Sequence, residues 1–186
     1  MIISKVPGLA VKQFIIDNHY SHKTAPIQYA YAMQNNDGDI IGAVTFGQSA
    51  SPYVSISIRG KYCDTPVIEL NRLAIKSDDK NAASRLIGYA LRNLPKNMLI
   101  VSYADCGVGH IGYVYQATNW HYAGRTKERT DIYSESGHAR HHCGDTSKRQ
   151  ARSAKHRYWI ATGKKALKAS LWATLPYPKG ETVRHL

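Results

Sequence analysis

Residues 67–105 carry the pattern that most limits how this chain can fold. An alternating apolar stretch at 67–76 is followed by residues 82–94, whose apolar side chains recur at helical spacing. Pro95 ends that helix, because a residue before proline is disfavoured in the helical conformation, and a mostly apolar run follows at 98–105. A strand, a helix and a second strand predict two parallel neighbours in one sheet, since parallel strands need a crossover connection.

The flanking segments predict further elements of both kinds. A helix follows Pro7 and ends near residues 18–20, and the turn signal at 35–38 joins strands at 28–34 and 39–47. The remaining expectations are a loop at 49–52, a short helix at 109–119, a strand at 120–126, a weakly patterned stretch at 127–153, a strand at 156–161 and a basic amphipathic helix at 163–173. The sequence thus predicts the α/β (α+β) class, with a central sheet flanked by helices.

Basic residues dominate the chain and are concentrated near its end. There are 25 Lys and Arg against 13 Asp and Glu in 186 residues, a net charge of +12. Counted along the sequence, residues 125–186 hold 14 of those cations and 5 of those acids. A surface this basic favours polyanions, of which nucleic acid is the commonest. The alternative is an unrelated basic protein that its charge keeps soluble.

Several observations bear on the cellular compartment. No apolar run approaches the roughly 18–20 residues of a membrane span, and the first residues lack the pattern of a secretory signal. The three cysteines are odd in number and widely spaced, which suggests reduced thiols, and no CxxC pair suggests zinc. These features predict a cytoplasmic protein.

Asp105 is the first candidate for chemistry, because it closes the apolar strand 98–105. Ligands of open α/β sheets bind beyond the carboxyl ends of parallel strands, and glycines follow Asp105 directly. Its carboxylate could serve as a base, a metal ligand or a hydrogen-bond partner of a purine, or it could simply cap the next helix. Tyr115, ten residues later, is either an acid or a core aromatic.

Three polar residues, Glu69, Asn71 and Arg72, interrupt the strand 67–76. Burying an unpaired charge costs several kcal/mol, so each needs a partner or a ligand. A Glu69–Arg72 pair is one solution, but these positions face opposite ways in a regular strand. In a regular strand, Arg72 shares its face with Ile68 and Leu70. We therefore expect Arg72 to face a substrate.

Histidines offer two candidate metal clusters. His19 and His22 follow the first helix and, with Asp105, would form a two-histidine, one-carboxylate set suited to iron. Two solvated loop histidines are the alternative. A second group lacks the spacing of a zinc finger and is expected to be a solvated basic loop; it consists of His138, His141, His142 and Cys143.

Cations and aromatic residues alternate near Lys155 and Arg157. Such mixtures bind phosphates and stack on bases, so we expect Lys155 and Arg157 to contact nucleic acid. A lysine-rich solvated face is the alternative.

Three motifs resemble a known family. The segments ELNRLAI, SYADCGVGHIGYVYQATNW and KHRYWI are similar to the phage Mom family of DNA-modification proteins, and the strand order resembles the GNAT acetyltransferase fold. The resemblance covers most of the chain, and the middle motif is its most specific part.

The resemblance implies an enzyme that converts adenine in double-stranded DNA to N6-carbamoylmethyladenine and so protects phage DNA from restriction. It implies Arg72, Asp105 and Tyr115 as active-site residues. The target base would meet Tyr103, Asn119 and Trp120, with Tyr113 also available for stacking. It further raises iron as a cofactor, with His19 as a speculative ligand.

The same resemblance implies a GNAT-like catalytic core at 1–126 and a basic segment at 127–186 that completes the sheet and contacts DNA, in one domain. The protein would act in the host cytoplasm if a phage encodes it, and a homodimer would suit a duplex target. The segment 78–85 carries two acids and lacks the glycines of an acyl-CoA phosphate loop, which argues against acetyl-CoA and leaves the donor unidentified.

Two other function classes remain as alternatives to this enzyme. One is a GNAT-type acetyltransferase acting on a protein or small amine, and the other is a non-enzymatic DNA-binding protein.

Overall fold

A seven-stranded mixed sheet is the framework of the structure, a computed structural model that describes residues 1–49, 51–132 and 148–180. The helices are α1 (Gly8–Asn18), α2 (Pro52–Arg59), α3 (Ala82–Asn93), α4 (Tyr113–Ala117) and α5 (Lys164–Ala169). The strands are β1 (Ile2–Val6), β2 (Tyr29–Gln34), β3 (Ile40–Gly47), β4 (Val67–Ile75), β5 (Leu99–Asp105), β6 (His121–Arg125), β7 (Arg129–Ile132), β8 (Arg149–Arg152) and β9 (Lys155–Ala161). A 3-10 turn, Cys106–Val108, follows β5.

The strand order in the large sheet is β1-β2-β3-β4-β5-β9-β6, while β7 and β8 form a separate antiparallel pair, here called the ribbon. Only β4 and β5 run parallel within the large sheet of the described chain. The predicted strand–helix–strand unit is therefore confirmed, and so is the α/β class with helices flanking a mixed sheet. The late strand β9 lies between β5 and β6.

Apolar faces of the helices cover both sides of the sheet. On one side α3 buries Leu86 and Ile87 against Phe46 and Ile100. Burying an aliphatic side chain of this size stabilises the fold by about 1.5–3 kcal/mol, so this helix is held by its core-facing stripe. On the other side, α1 covers β2 to β4, and α2 and α5 cover β5 and β9.

Four strongly periodic predictions match the structure closely: α1, the β2–β3 hairpin, α3 and β5. The pattern missed β1, the ribbon strands β7 and β8, and α2, which begins at Pro52, the last residue of the loop expected at 49–52. Ser51 caps α2 by accepting a hydrogen bond from the Tyr53 amide at 3.3 Å, and Pro52 starts it. The helix expected at 109–119 is limited to α4.

A β-bulge corrects the expected orientation of Arg72. Thr45 pairs with Arg72, but the next residue of β3, Phe46, pairs with Leu70, so one residue of β4 is skipped. Arg72 thus lies across from Thr45, on the face opposite Ile68 and Leu70. The expectation that it shares their face is wrong, because a bulge reverses the alternation of a strand.

The parallel strands separate soon after they meet. β4 and β5 pair only from Val67 to Glu69 against Leu99 to Val101, while β4 stays paired with β3 and β5 with β9. The carboxyl halves of both strands therefore border an opening in the sheet.

Two smaller findings concern the compartment. No helix among the described residues is both long and apolar enough to cross a bilayer. Cys63 and Cys106 are free thiols, and Cys143 lies outside the described residues.

Gly112 should be intolerant of a side chain. It precedes α4 with φ of +79°, and a Cβ there would meet the Tyr158 ring. We expect Gly112→Ala to lower the free energy of unfolding by about 2–5 kcal/mol, through backbone strain plus overpacking. The control Gly38→Ala has φ of +90° but open space around its Cβ, so it should cost only about 1–2 kcal/mol. Urea denaturation measures both, and equal losses would contradict the steric argument.

Candidate functional site

A large cleft opens where β4 and β5 separate. Its volume is about 1530 Å³, and it extends from the end of α1 past both strands to α4 and the start of α3. Nine side chains that the sequence singled out line this main cleft: His19, His22, Glu69, Asn71, Arg72, Tyr103, Tyr113, Tyr115 and Lys155. The structure thus brings together residues separated by more than a hundred positions in the sequence.

A side cavity of about 840 Å³ adjoins the main cleft, between the 3-10 turn and the ribbon. Arg129, Arg152 and Ser153 line both spaces. Within the described residues, Asp105 lines the side cavity rather than the main cleft. It stays linked to the main cleft through Lys155, whose Nζ lies 2.8 Å from Asp105 Oδ2.

Asp105 is held by three partners. Its Oδ1 accepts a hydrogen bond from the Gly107 amide at 2.9 Å and a short one from the Ser153 hydroxyl, and Oδ2 pairs with Lys155. The side chain is 14% exposed. Burial alone would raise its pKa, but the hydrogen bonds from Lys155, Ser153 and Gly107 and the Lys155 charge lower the pKa overall. Asp105 therefore caps the 3-10 turn and also presents an ionised carboxylate.

Arg72 is oriented by backbone carbonyls. Its Nε donates to Lys23 O at 2.7 Å and its Nη1 to Asn71 O at 2.6 Å. Burial lowers the pKa of the guanidinium, and Tyr20 and Glu69 oppose that shift. Since a guanidinium has five N–H donors, those not used by the backbone are available to a ligand in the main cleft.

Tyr115 is both a core aromatic and a cleft residue. Its ring lies 5.1 Å from those of Trp120 and Tyr158, and its hydroxyl is 2.7 Å from Ser102 Oγ. Burial raises its pKa, while the bond to Ser102 opposes that shift, so the phenol keeps its proton at neutral pH.

His19 is neutral. It is 8% exposed, and its Nδ1 accepts from the Ser21 amide at 3.1 Å, which assigns the ring proton to Nε2. Burial, followed by the charges of Arg72, His110, His22 and Lys155, lowers its pKa from 6.5 to about 3. Its ring stacks on Tyr20, which in turn meets His110 edge-on at 5.4 Å.

The described residues do not assemble the expected iron site. They contain no group of three or more His, Cys, Asp and Glu side chains placed to hold a metal ion. The exposed His22 instead bonds its Nδ1 to Ile16 O at 2.9 Å. The second candidate cluster lies outside the described residues: His138, His141, His142 and Cys143.

Three expected nucleic-acid contacts are placed away from both spaces. Trp120 is 0% exposed in the core, so the expectation that it stacks on a base is not supported: its ring faces are covered. Asn119 is exposed at the end of α4, with φ of +61°. The Arg157 guanidinium lies 5.1 Å from the Trp172 ring and donates to Ala123 O at 2.8 Å.

The start of α3 does not offer the phosphate cradle of an acyl-CoA site. The Asp79 carboxylate accepts a hydrogen bond from the Asn81 amide at 2.9 Å and pairs with Arg85 at 2.5 Å. A carboxylate in that position would repel a pyrophosphate, so coenzyme A does not fit these residues.

Tyr20, Ser102 and Ser153 are site residues that the sequence did not single out. Tyr20 lies near both Asp105 and Arg72, since the Asp105 charge raises and the Arg72 charge lowers its pKa, after the raising effect of burial. Its position next to His19 was the one available signal. Ser102 and Ser153 act by hydrogen bonding, and nothing in their sequence context distinguishes them.

Comparisons with known proteins agree with this architecture. The family model described as Mom protein family matches residues 1–166. The methylcarbamoylase mom of Escherichia phage Mu is 28% identical over 118 residues, which are 61% of this chain and 49% of that protein. The chain therefore spans about half the length of this relative.

Solved structures show the same fold at low identity. An N-acetyltransferase from Staphylococcus aureus is 14% identical with a TM-score of 0.51, covering 87% of this chain and 98% of its own. A spermidine N-acetyltransferase from Vibrio cholerae is 10% identical with a TM-score of 0.52, covering 87% and 95%. A GNAT-like decarboxylase in complex with isobutyryl-CoA is 12% identical with a TM-score of 0.53, covering 87% and 100%. The GNAT-like fold is thus confirmed.

The buried neutral His19 should make stability fall in mild acid. Below pH 6.5 the unfolded chain protonates this imidazole while the folded protein, with a pKa of about 3, does not. Stability present above pH 6.5 is therefore lost as the pH falls, by about 1.4 kcal/mol per pH unit for one proton. His19→Gln should reduce the slope between pH 6 and 4.5 by that amount, measured by urea denaturation at each pH. A variant with an unchanged slope and a uniformly lower stability would contradict the neutral imidazole.

Proposed function

Because the chain belongs to the Mom protein family, we propose that it is a phage enzyme that modifies adenine in double-stranded DNA. The product would be N6-carbamoylmethyladenine, which would protect phage DNA from restriction. The observation that carries the proposal is the main cleft itself, which Arg72, Tyr115 and Lys155 line together, with Lys155 Nζ 2.8 Å from Asp105 Oδ2. The phage Mu relative is named a methylcarbamoylase, which supports the type of group transferred.

Asp105 is the proposed proton acceptor. The N6 lone pair is delocalised into the adenine ring, so its attack needs loss of a proton as the new bond forms. In the balanced step, N6 bonds to the carbon of the transferred group, the bond from that carbon to the donor breaks, and one N6 proton moves to the carboxylate. A carboxylate of low pKa suffices, because a nitrogen that is gaining a fourth bond becomes strongly acidic.

Arg72 and Tyr115 would act on the donor. The unused N–H groups of Arg72 suit a carbonyl or carboxylate oxygen of the donor, with the geometry fixed by its two backbone bonds. Tyr115, protonated at neutral pH, would donate a hydrogen bond to the departing group. No step here uses iron or coenzyme A, since the described residues fit neither.

The target base would reach the cleft by leaving the duplex stack. Tyr113 is 64% exposed and Tyr20 is 40% exposed, and both line the main cleft beside Tyr103. These rings suit stacking on an extruded adenine better than the buried Trp120. Outside the cleft, Asn119 is exposed and stays a proposed contact.

We also propose different roles for two parts of the chain. Residues 1–126 would provide the catalytic core, and the basic segment 127–186 would complete the sheet and contact DNA within the same domain. In support, β9 pairs with β5 over its whole length, and Lys155 from this segment holds Asp105.

Mass spectrometry of nucleosides tests the activity and the role of Asp105. DNA from cells expressing the chain should contain a deoxyadenosine derivative heavier by about 57 mass units, the carbamoylmethyl group. Asp105→Asn keeps the shape but not the proton acceptor, so we expect product to fall at least about 100-fold. The control Asp37→Asn changes an exposed carboxylate in the β2–β3 turn and should leave product unchanged.

Two outcomes would contradict this proposal. Unmodified DNA from folded, well-expressed protein would exclude the activity, and measurable acetyl-CoA binding would then favour an acetyltransferase. Normal product from Asp105→Asn would limit Asp105 to capping the 3-10 turn.

Tyr115→Phe separates donation from packing. Phenylalanine keeps the ring contacts, so stability should fall by only about 1 kcal/mol for the lost hydrogen bond. Product formation per bound DNA should fall about 100-fold if the phenol donates to the leaving group. Tyr122→Phe is the matched control, because Tyr122 is 8% exposed and its hydroxyl bonds His156 Nδ1 at 2.8 Å, away from the cleft. Equal activity in both variants would leave Tyr115 a core aromatic only.

A further inference from the structure

The ribbon places two arginines directly opposite each other. Arg129 of β7 pairs in register with Arg152 of β8. Like charges directly across an antiparallel pair destabilise it, so strand pairing alone gives no reason for this arrangement. An anion between or beside the two guanidinium groups would remove the repulsion.

The base of the ribbon is fixed beside the proposed active site. The Thr126 amide donates to Lys155 O at 2.9 Å, and the Lys155 amide donates to Thr126 Oγ1 at 2.9 Å. Arg152 is followed by Ser153, whose hydroxyl bonds Asp105. A ligand held by Arg152 would therefore sit next to the proposed proton acceptor.

Both arginines border the main cleft and the side cavity. Burial, followed by the Glu69 charge, raises the pKa of Tyr103, and the charges of Arg157 and Arg129 oppose that shift, so that the pKa is about 12 overall. The Arg129 charge therefore acts on the cleft. Arg152 pairs with Asp131 at 3.0 Å, with both side chains more than a third exposed. In residues 1–49, 51–132 and 148–180, no carboxylate forms an ion pair with Arg129. Among the described carboxylates, Asp131 is therefore the one that is ion-paired with either arginine.

We propose that Arg129 and Arg152 together bind a backbone phosphate of DNA, next to the nucleotide that enters the main cleft. Two planar guanidinium groups on neighbouring strands match the oxygens of one phosphate. The choice of DNA rests on the proposed function. The same chemistry would suit a phosphate on a small donor molecule, and the experiment separates the two sources.

The salt dependence of DNA binding tests this Arg129–Arg152 phosphate site, here called the clamp. Fluorescence anisotropy with a labelled duplex, between 50 and 200 mM salt, gives the slope of log affinity against log salt. Arg129→Ala and Arg152→Ala should each reduce that slope by about 0.9, so the affinity deficit is about threefold larger at the lower salt. Arg149→Ala is the matched control, because Arg149 is exposed on the same ribbon but lies three residues from Arg152, on the other face; it should keep the wild-type slope.

Asp131→Asn gives a second, opposite prediction that does not depend on removing an arginine. It releases Arg152 and removes an anion beside the phosphate, so DNA affinity should rise, by about threefold at 50 mM salt. If the Arg152–Asp131 pair served only to hold the ribbon together, affinity would fall instead, which would overturn the proposal.

Binding requires no turnover, so this result is independent of the nucleoside measurement. A wild-type protein that shows the predicted slopes but leaves DNA unmodified would refute the proposed activity and keep the clamp. An equal effect of Arg149→Ala, or no binding of duplex by wild type, would refute the clamp. The clamp would also be refuted if the arginine variants lost binding of inorganic pyrophosphate, measured by calorimetry, but bound DNA as the wild type does.

Discussion

The early separation of β4 from β5 is the constraint from which the site follows. Backbone groups that lose a ladder partner inside a protein must find another. The Leu70 carbonyl, just beyond the last paired residue, accepts a hydrogen bond from the Ser102 hydroxyl at 2.9 Å. A side chain thus replaces the ladder across the gap, and the same hydroxyl contacts Tyr115. Because a serine hydroxyl has one proton, it donates to only one of these two oxygens at a time. The break in the sheet is therefore stabilised by a residue that also sets the hydrogen bonding of the tyrosine.

The cations near the Asp105 carboxylate determine the electrostatic field of the cleft. Arg72 and Lys155 help to keep His19 neutral, and Lys155 helps to keep Asp105 ionised. Arg129 and Arg152 add positive charge on the ribbon side. Lys155 contributes to both effects: it lowers the pKa of His19, where burial acts in the same direction, and it lowers the pKa of Asp105, where burial acts in the opposite direction. A site with this field favours an anionic ligand and steers it toward the mouth of the cleft.

Periodicity predicted those parts of the fold that depend on burial of a regular face. Examples are the amphipathic stripe of α3, the apolar run of β5 and the parallel crossover from β4 through α3 to β5. It could not predict the bulge at Asn71, because a bulge depends on pairing with β3 and leaves no mark in the apolar pattern of β4. The ribbon was missed for a related reason: its strands bury little, so they carry no alternating apolar signal. For the site, the structure places Arg72, Tyr103, Tyr115 and Lys155 on one cleft. Arg72 was singled out as a charge within an apolar strand and Lys155 by its alternation with aromatic residues, whereas the choice of Tyr103 and Tyr115 rested on the resemblance. Trp120 was expected to stack on a base but lies in the core. Neither helix propensity nor residue spacing shows whether an aromatic residue that follows a helix packs inward or faces solvent.

The ribbon is linked to the proposed proton acceptor through Ser153 and Lys155. β9 pairs with β5 from Leu99 to Asp105, which sets Lys155 directly across from Asp105. Ser153, between β8 and β9, donates to the same carboxylate. Each of these bonds lowers the pKa of Asp105, so any shift of β8 that lengthens the Ser153 bond would raise that pKa and make the carboxylate a stronger base. The proposed contact with DNA and the proposed proton transfer would therefore be coupled through the segment that carries most of the positive charge.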